Sequence, residues 1–414
     1  MASRGSHLVR ADRRFATGAG IVGRIAAPAF AAVLDRLDER LELGGIDVTL
    51  PDGSHRRIGF RAPGPVALVR LHNWMPLVRL ATSGSVGWYK AWAAGEWSSP
   101  NPVPLFELFM ANAVALGDVA RAKGPMRWIN SLAHRLRDNG LSRARANIAA
   151  HYDLGNDFYA AWLDPSMTYS SARFMPGDTL EAAQHRKNEM LLDRLDLKPG
   201  QRLLEIGCGW GTFAVAAARR GVDVVGLTLS AEQKRYADET IAKAGLSNLC
   251  SIRLEDYRAV NEQYDAIASV EMVEAVGERW WPAYLDCMHR NLKPGGKAAL
   301  QFISIDHRLF DAYSSSADFI QAYIFPGGML LNELRFQELA QDRGLDWTDR
   351  EGFASDYADT LAIWCSQYDC AVAAGRLAGF DDEFHNLWRY YLMYCEGGFR
   401  GRGIDVAQVT LTRS

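Results

Sequence analysis

Leu203-Leu204-Glu205-Ile206-Gly207-Cys208-Gly209-Trp210-Gly211 joins an apolar run to three alternating glycines, with an acid two residues before the first. Glycine at this spacing lets the backbone turn sharply at the carboxyl end of a strand and come close to a flat ligand. The spacing is G-x-G-x-G and lacks the G-x-G-x-x-G pattern that suits a pyrophosphate. A tighter turn beside an acid suits a ligand with a cationic amino-acid end and a ribose. S-adenosylmethionine (SAM) is such a ligand. A dinucleotide site and a plain tight strand-to-helix turn are the other readings of this stretch alone.

Glu271 and Glu274 are a second chemical pair. Three residues apart, they share one face if the segment is helical. Two carboxylates in a partly apolar site tend to hold one proton between them; the bland reading is a solvated helix face. Cys395 lies on an apolar stripe with Phe384, Leu387, Trp388, Tyr391 and Leu392 at helical spacing, as a buried small hydrophobe does. Between 121 and 145, Arg121, Lys123, Arg127, Arg135, Arg137, Arg143 and Arg145 face one acid, Asp138, with Met126, Trp128, Ile129, Leu132 and Leu136 interleaved. A basic amphipathic helix of this kind suits an anionic bilayer surface, and equally an acidic face of another domain.

The elements that must position these residues follow from length and pattern. With 414 residues, two domains are expected, cut at 146/147. The first (1–146) reads as a small α+β unit: a helix over 15–43, two short strands around Pro51-Asp52-Gly53, further short strands and a helix around 84–97, then helical sequence from about 103. The second (147–414) reads as α/β, with strands at Arg202–Ile206, Asp223–Leu227, Leu249–Arg253, Tyr264–Val270 and Lys297–Ile303 alternating with helices. That alternation predicts a parallel sheet covered on both faces. A net charge of −3 argues against a nucleic-acid partner. The six cysteines show no metal-ligand pairing, so no metal is expected. Nothing reads as a signal peptide or a bilayer-spanning run, so the expected location is cytoplasmic, peripheral to the inner face of the membrane.

Several phrases together resemble one family. They are His151-Tyr152-Asp153-Leu154-Gly155-Asn156-Asp157-Phe158, Met167-Thr168-Tyr169-Ser170, Gly226-Leu227-Thr228-Leu229-Ser230-Ala231-Glu232-Gln233, Glu255-Asp256-Tyr257-Arg258, Ser269 through Gly277, Tyr323 through Gly328, and Cys395-Glu396-Gly397-Gly398-Phe399-Arg400. In this order they resemble the cyclopropane-fatty-acid synthases, relatives of the mycolic acid cyclopropane synthases. The resemblance covers about 147–414 and extends more loosely to the N-terminal domain. It implies a Rossmann-like class I SAM methyltransferase sheet that alkylates cis double bonds of phospholipid acyl chains. It also implies a cofactor site of Tyr169, Ser170, Glu205, Gly207, Gly209, Trp210, Gly211, Thr228, Leu229, Gln233, Asp256, Tyr257 and Arg258. No acid ends the second strand, and the resemblance implies that Gln233 holds the ribose instead; an amide can both donate and accept. The resemblance further implies a homodimer.

The chemistry requires proximity, because an isolated alkene is a poor nucleophile. It then requires a dry aromatic pocket for a carbocation and a base to remove a proton. In the family the base is a bicarbonate ion, and the matching ring is Ser171, Glu274, Gln301, Ile303 and Tyr357. Cys395 matches the family's C-terminal cysteine, for which a wall-lining role is expected. A Cys is usual where Ser171 stands and a His where Gln301 stands. With Glu271 through Gly277, the phrase around Gln301 also resembles a branch that includes plant cyclopropane synthases and enzymes making methylene-branched or furan-precursor fatty acids. Methylation of a soluble small molecule is the competing activity.

Overall fold

The computed structural model describes residues 4–9, 27–117, 154–315 and 318–414, which fall into two compact units. The first comprises Met1–Arg137, Arg308–Pro326 and Ala378–Ile404, and the second Asp138–His307, Gly327–Leu377 and Asp405–Ser414. This division differs from a single cut at 146/147, because two later segments group with the N-terminal one. The reason is helix packing. Helix Asp382–Arg400 lies against helix Val103–Ala111. A Cβ on Gly397 would sit 2.4 Å from Phe106 Cβ, and one on Gly401 2.6 Å from Met110 Cβ. Glycine is what lets these backbones approach.

The rest of the first unit is a four-stranded sheet with helices. Strands β1 (Gly45–Thr49), β2 (His55–Gly59), β3 (Val66–Leu71) and β4 (Trp97–Ser98) pair in the order β2-β1-β3-β4. The turn at Asp52 and Gly53 closes the β1–β2 hairpin: Gly53 has φ 85°, and Asp52 accepts from Ser54 N at 2.9 Å. The helix expected over 15–43 is described as Ala27–Arg40. The basic stretch 121–145 and His151-Tyr152-Asp153 lie outside the described residues.

The second unit carries seven strands: β5 (Arg202–Ile206), β6 (Asp223–Thr228), β7 (Cys250–Leu254), β8 (Tyr264–Val270), β9 (Leu292–Ile305), β10 (Leu345–Gly352) and β11 (Ile404–Arg413). Their order is β10-β11-β9-β8-β5-β6-β7. β7, β6, β5, β8 and β9 run parallel, whereas β10 and β11 pair antiparallel, so the sheet is mixed. The sequence pattern predicts the five parallel strands and not the last two. β10 is exposed at most positions and carries Asp346, Asp349 and Arg350, so its apolar alternation is weak. Central β5 and β8 are buried along most of their length, as strands covered on both faces must be.

The order reverses between β5 and β8. β5 leads outward to β6 and β7, while β8 leads the other way to β9. Their carboxyl ends therefore flank a switch point, where open α/β sheets bind ligands. Glu205–Gly211 leaves one of these ends and Glu271 leaves the other.

Candidate active site

The glycine turn is built by backbone constraint. Gly207, Gly209 and Gly211 have φ of 84°, 52° and 86°, a region other residues rarely adopt. The N–H groups of Gly207 and Cys208 both donate to Leu227 O, at 3.0 and 2.8 Å, which ties the turn to the end of β6. A Cβ on Gly207 would lie 2.4 Å from Met272 Cγ, while one on Gly209 would meet nothing within 4 Å among the described residues. Among these residues the tip of the turn therefore faces open space. Beside it, Glu205 is 3% exposed, and its Oε2 has no hydrogen-bond partner among the described residues. Burial pushes this carboxyl up to about 8, against the opposing charge of Lys187. An open tip beside an orphaned buried acceptor fits the cationic amino-acid end of SAM.

The remaining cofactor candidates are held by their own local bonds. Ser230 caps helix Ala231–Lys243 by accepting from Gln233 N, and Gln233 Oε1 accepts from Thr228 Oγ1 at 2.9 Å. The amide N–H groups of Gln233 are thereby left to donate, as a ribose requires. Leu229 is half-buried just after β6. Asp256 grips Arg258 Nε and Nη2 at 2.8 and 2.7 Å, and the guanidinium lies between the rings of Tyr257 and Trp280. Trp210 Nε1 donates to Asn156 Oδ1 at 2.7 Å. Tyr169 packs within an aromatic wall of Tyr159, Trp162 and Trp364. Tyr357 meets the same Trp364 edge-on. The sequence reading missed Tyr159, Trp162 and Trp364; aromatics are common core residues, and no spacing marked these three.

The proton site differs from expectation at its centre. Ser171 N, Gln301 Nε2 and Tyr357 OH do converge, but on the carboxylate of Glu271. Oε1 accepts from Ser171 N at 2.9 Å and from Gln301 at 2.8 Å, and Oε2 accepts from Tyr357 at 2.7 Å. Ile303 N, the fourth donor of the expected ring, donates to Glu274 Oε1. Gln301 is fully engaged, since its Oε1 accepts from Gln408 Nε2 at 3.0 Å. Every donor assigned to bicarbonate is thus occupied by one of the chain's own carboxylates. A further anion there would face the charge of Glu271, with the N–H and O–H groups of Ser171, Gln301, Tyr357 and Ile303 already taken. These residues do not fit a bicarbonate ion.

The two glutamates do not share a helix face. Glu271 has φ 49° directly after β8, and Glu274 lies in the single 3-10 turn Val273–Ala275. The left-handed residue, which costs about 1–3 kcal/mol for a non-glycine, turns the Glu271 side chain back toward its three donors. Burial raises both carboxyls. At Glu271 the three donors and the charge of Lys187 oppose that rise. Glu274 instead faces the charge of Glu271 and is pushed up to about 8, and its Oε2 has no partner. Because the rise is opposed more strongly at Glu271, a proton shared by the pair sits on Glu274 and the charge on Glu271.

Cys395 belongs to the other unit, on helix Asp382–Arg400. Burial and the charge of Asp318 raise its thiol, which keeps it protonated. Phe384, Leu387, Trp388, Tyr391 and Leu392 of its stripe are all buried.

Comparison with known proteins agrees with the sheet. A family model described as mycolic acid cyclopropane synthetase matches residues 140–409. The tuberculostearic acid methyltransferase UfaA1 of Mycobacterium tuberculosis is 39% identical over 349 residues, 81% of this chain and 80% of that protein. The cyclopropane-fatty-acyl-phospholipid synthase of Escherichia coli is 33% identical over 397 residues, 89% of this chain and 96% of its own. The mycolic acid cyclopropane synthase CmaA1, solved with SAH and CTAB, superposes with a TM-score of 0.60 at 33% identity, covering 65% of this chain and 98% of that one. With a class I sheet, a family model matched over 140–409 and relatives named as fatty-acid methyltransferases and cyclopropane synthases, this chain belongs to the mycolic acid cyclopropane synthetase family of SAM-dependent methyltransferases.

Proposed function

We propose that this enzyme methylates the cis double bond of an unsaturated phospholipid acyl chain, and that Glu271 is the base that completes the reaction. The observation that carries this is the set of three donors gathered on the Glu271 carboxylate. When bound, SAM supplies the electrophilic methyl group. The chain's residues do the rest. The aromatic wall of Tyr169, Trp364 and Tyr357 excludes water and presents ring faces to a carbocation on the acyl chain. Glu271 Oε2 accepts from Tyr357 and keeps a lone pair free for a proton. Its raised pKa makes it a stronger base than an ordinary carboxylate. The proton leaves the transferred methyl carbon for Oε2, and the electrons of that C–H bond close a cyclopropane ring.

A second product has its own support. The relative at 39% identity is named a methyltransferase, whereas those named cyclopropane synthases stand at 33–34%. A 1,2-hydride shift onto the cation, followed by loss of a proton from the transferred methyl, would leave a methylene branch on the acyl chain, and Glu271 would serve unchanged. Residues 121–145, read as a basic amphipathic segment, are assigned to the anionic membrane surface. Among the described residues no helix is long and apolar enough to cross a membrane.

The test uses vesicles of monounsaturated phospholipid, prepared free of bicarbonate. Wild type should convert the acyl chain to a species heavier by one CH2, and proton NMR of the product separates ring from vinylidene protons. Glu271→Gln should lower turnover by about 10²–10⁴-fold with SAM affinity near wild type. A fully active Glu271→Gln, or wild-type activity that appears only on adding bicarbonate, would remove Glu271 as the base.

A further inference from the structure

Helix Leu180–Leu195 buries a charge that the reaction above leaves unused. Lys187 is 1% exposed, and its Nζ donates to Ser170 Oγ at 2.7 Å. An ammonium carries three N–H groups, so one bond leaves most of its capacity unmet. The acids whose charges act on it are Glu271, Asp164 and Glu205. It closes an ion pair with none of them among the described residues. Around it, Glu205 Oε2, Asp164 Oδ1 and Gln184 Oε1 are buried acceptors without partners among the described residues. A buried cation ringed by unmet acceptors is costly unless its field is used.

Its bonds reach both halves of the site. Ser170 precedes Ser171, whose N–H grips Glu271. One turn earlier on the same helix, Gln184 Nε2 holds Ser170 O at 2.8 Å. The backbone O of Lys187 accepts from Gln408 Nε2, the same nitrogen that donates to Gln301 Oε1. The other groups facing Glu271 are Gln301 from β9, Tyr357 from helix Ala354–Ala373 and Glu274 from the adjacent turn. Of all these, only Lys187 is positive.

We propose that Lys187 is a positioning residue whose buried positive charge is shared between Glu271 at the proton site and Glu205 at the cofactor turn, holding Glu271 ionised for the next turnover. The inference rests on the reading of Glu271 as the base. Without Lys187, Glu271 would keep its donors and face Glu274 with no compensating cation, so its proton would be lost at higher pH.

Two measurements test this. Urea melts of Lys187→Met, Glu271→Gln and the double variant form a cycle. Removing one partner strands a buried charge, whereas removing both does not. The double variant should therefore be more stable than the sum of the single losses predicts. Should Lys187→Met fail to fold alone, recovery of a cooperative transition in the double variant supports the shared charge, and failure of both overturns it. Strict additivity also overturns it. Second, the acid limb of the kcat–pH profile should move up by at least about one pH unit in Lys187→Met. It should stay in place in Gln184→Leu, which removes a bond to Ser170 and leaves the charge. A wild-type limb in Lys187→Met would leave Lys187 a merely structural residue. If Glu271 is not the base, Glu271→Gln stays active while the stability coupling persists, so the two readings fail separately.

Discussion

The cofactor turn and the proton site leave neighbouring strands of one sheet and are built in opposite ways. The turn is continuous in sequence. Glu205 to Gly211 supply the acid, the left-handed glycines and the open tip, and two backbone bonds to Leu227 hold them in place. The proton site is assembled from separated segments: Ser171, Glu271, Gln301, Tyr357 and, behind them, Gln408 and Lys187. A site made of backbone keeps its space for a ligand. One made of side chains can fill its own space, as Glu271 fills the position expected for an anion. The contrast shows that a matching ring of donors does not by itself specify a bound ion, since one carboxylate on the chain is enough to replace it.

The largest perturbation expected is one that strikes both regions together. Gly207→Val places a side chain on a backbone with φ 84°, against Met272, which lies between the two glutamates. SAM affinity should fall by about 100-fold or more, some 2.7 kcal/mol, and turnover with it, while the far-UV spectrum is retained. Calorimetry showing wild-type affinity in a folded variant would break the claim that the turn touches the cofactor.

Glu205→Gln should separate the regions. It removes the charge opposite the ligand's ammonium and should weaken SAM by about 10–100-fold, the worth of a charge-assisted bond. The kcat at saturating SAM should change far less. Equal losses in both would mean that the turn and the proton site are one unit.

Tyr357→Phe acts on the other side alone. Losing one donor to Glu271 Oε2 costs about 1–2 kcal/mol, so turnover should drop about tenfold with SAM affinity unchanged. The acid limb of the pH profile should move upward, because the ionised carboxylate loses support. A Phe variant with wild-type turnover would detach Tyr357 from the proton step.

A final expected effect is on the pH dependence of stability. Glu205 and Glu274 are both raised to about 8 in the folded chain, above their ordinary value of 4.5. Unfolded, they ionise first, so their contribution is fully present below about 4.5 and is lost as pH rises through 8. Urea midpoints of the cofactor-free protein should decline across that window, and saturating SAM should flatten the share due to Glu205. A midpoint that rises from pH 5 to 8 and is indifferent to SAM would contradict the burial of these carboxyls.

How much was legible beforehand depends on how locally each feature is coded. The ends of β5 and β8 match their expected bounds, because a buried parallel strand is a continuous apolar run with clear stops. The α/β class followed from the alternation of such runs with helices. Glu271 carried a readable signal that was underused, since an acid just past a central strand repeats the position of Glu205 at the end of β5. The assumption of a helix hid it, because the left-handed backbone of a non-glycine leaves no mark in the sequence.

The sequence by itself determined the five parallel strands, the glycine turn and the identity of every group able to donate or accept a proton, because local backbone preference and burial pattern decide these. Tertiary structure alone decided which carboxylate the donors hold. Ser171, Gln301 and Tyr357 lie as much as 186 positions apart along the chain, and only the packing of β8, β9 and helix Ala354–Ala373 brings them to one point. It also decided that Lys187 is buried among acids. A hydrogen bond is set by a few tenths of an ångström and by angle, and no spacing along a chain carries that information across so many residues.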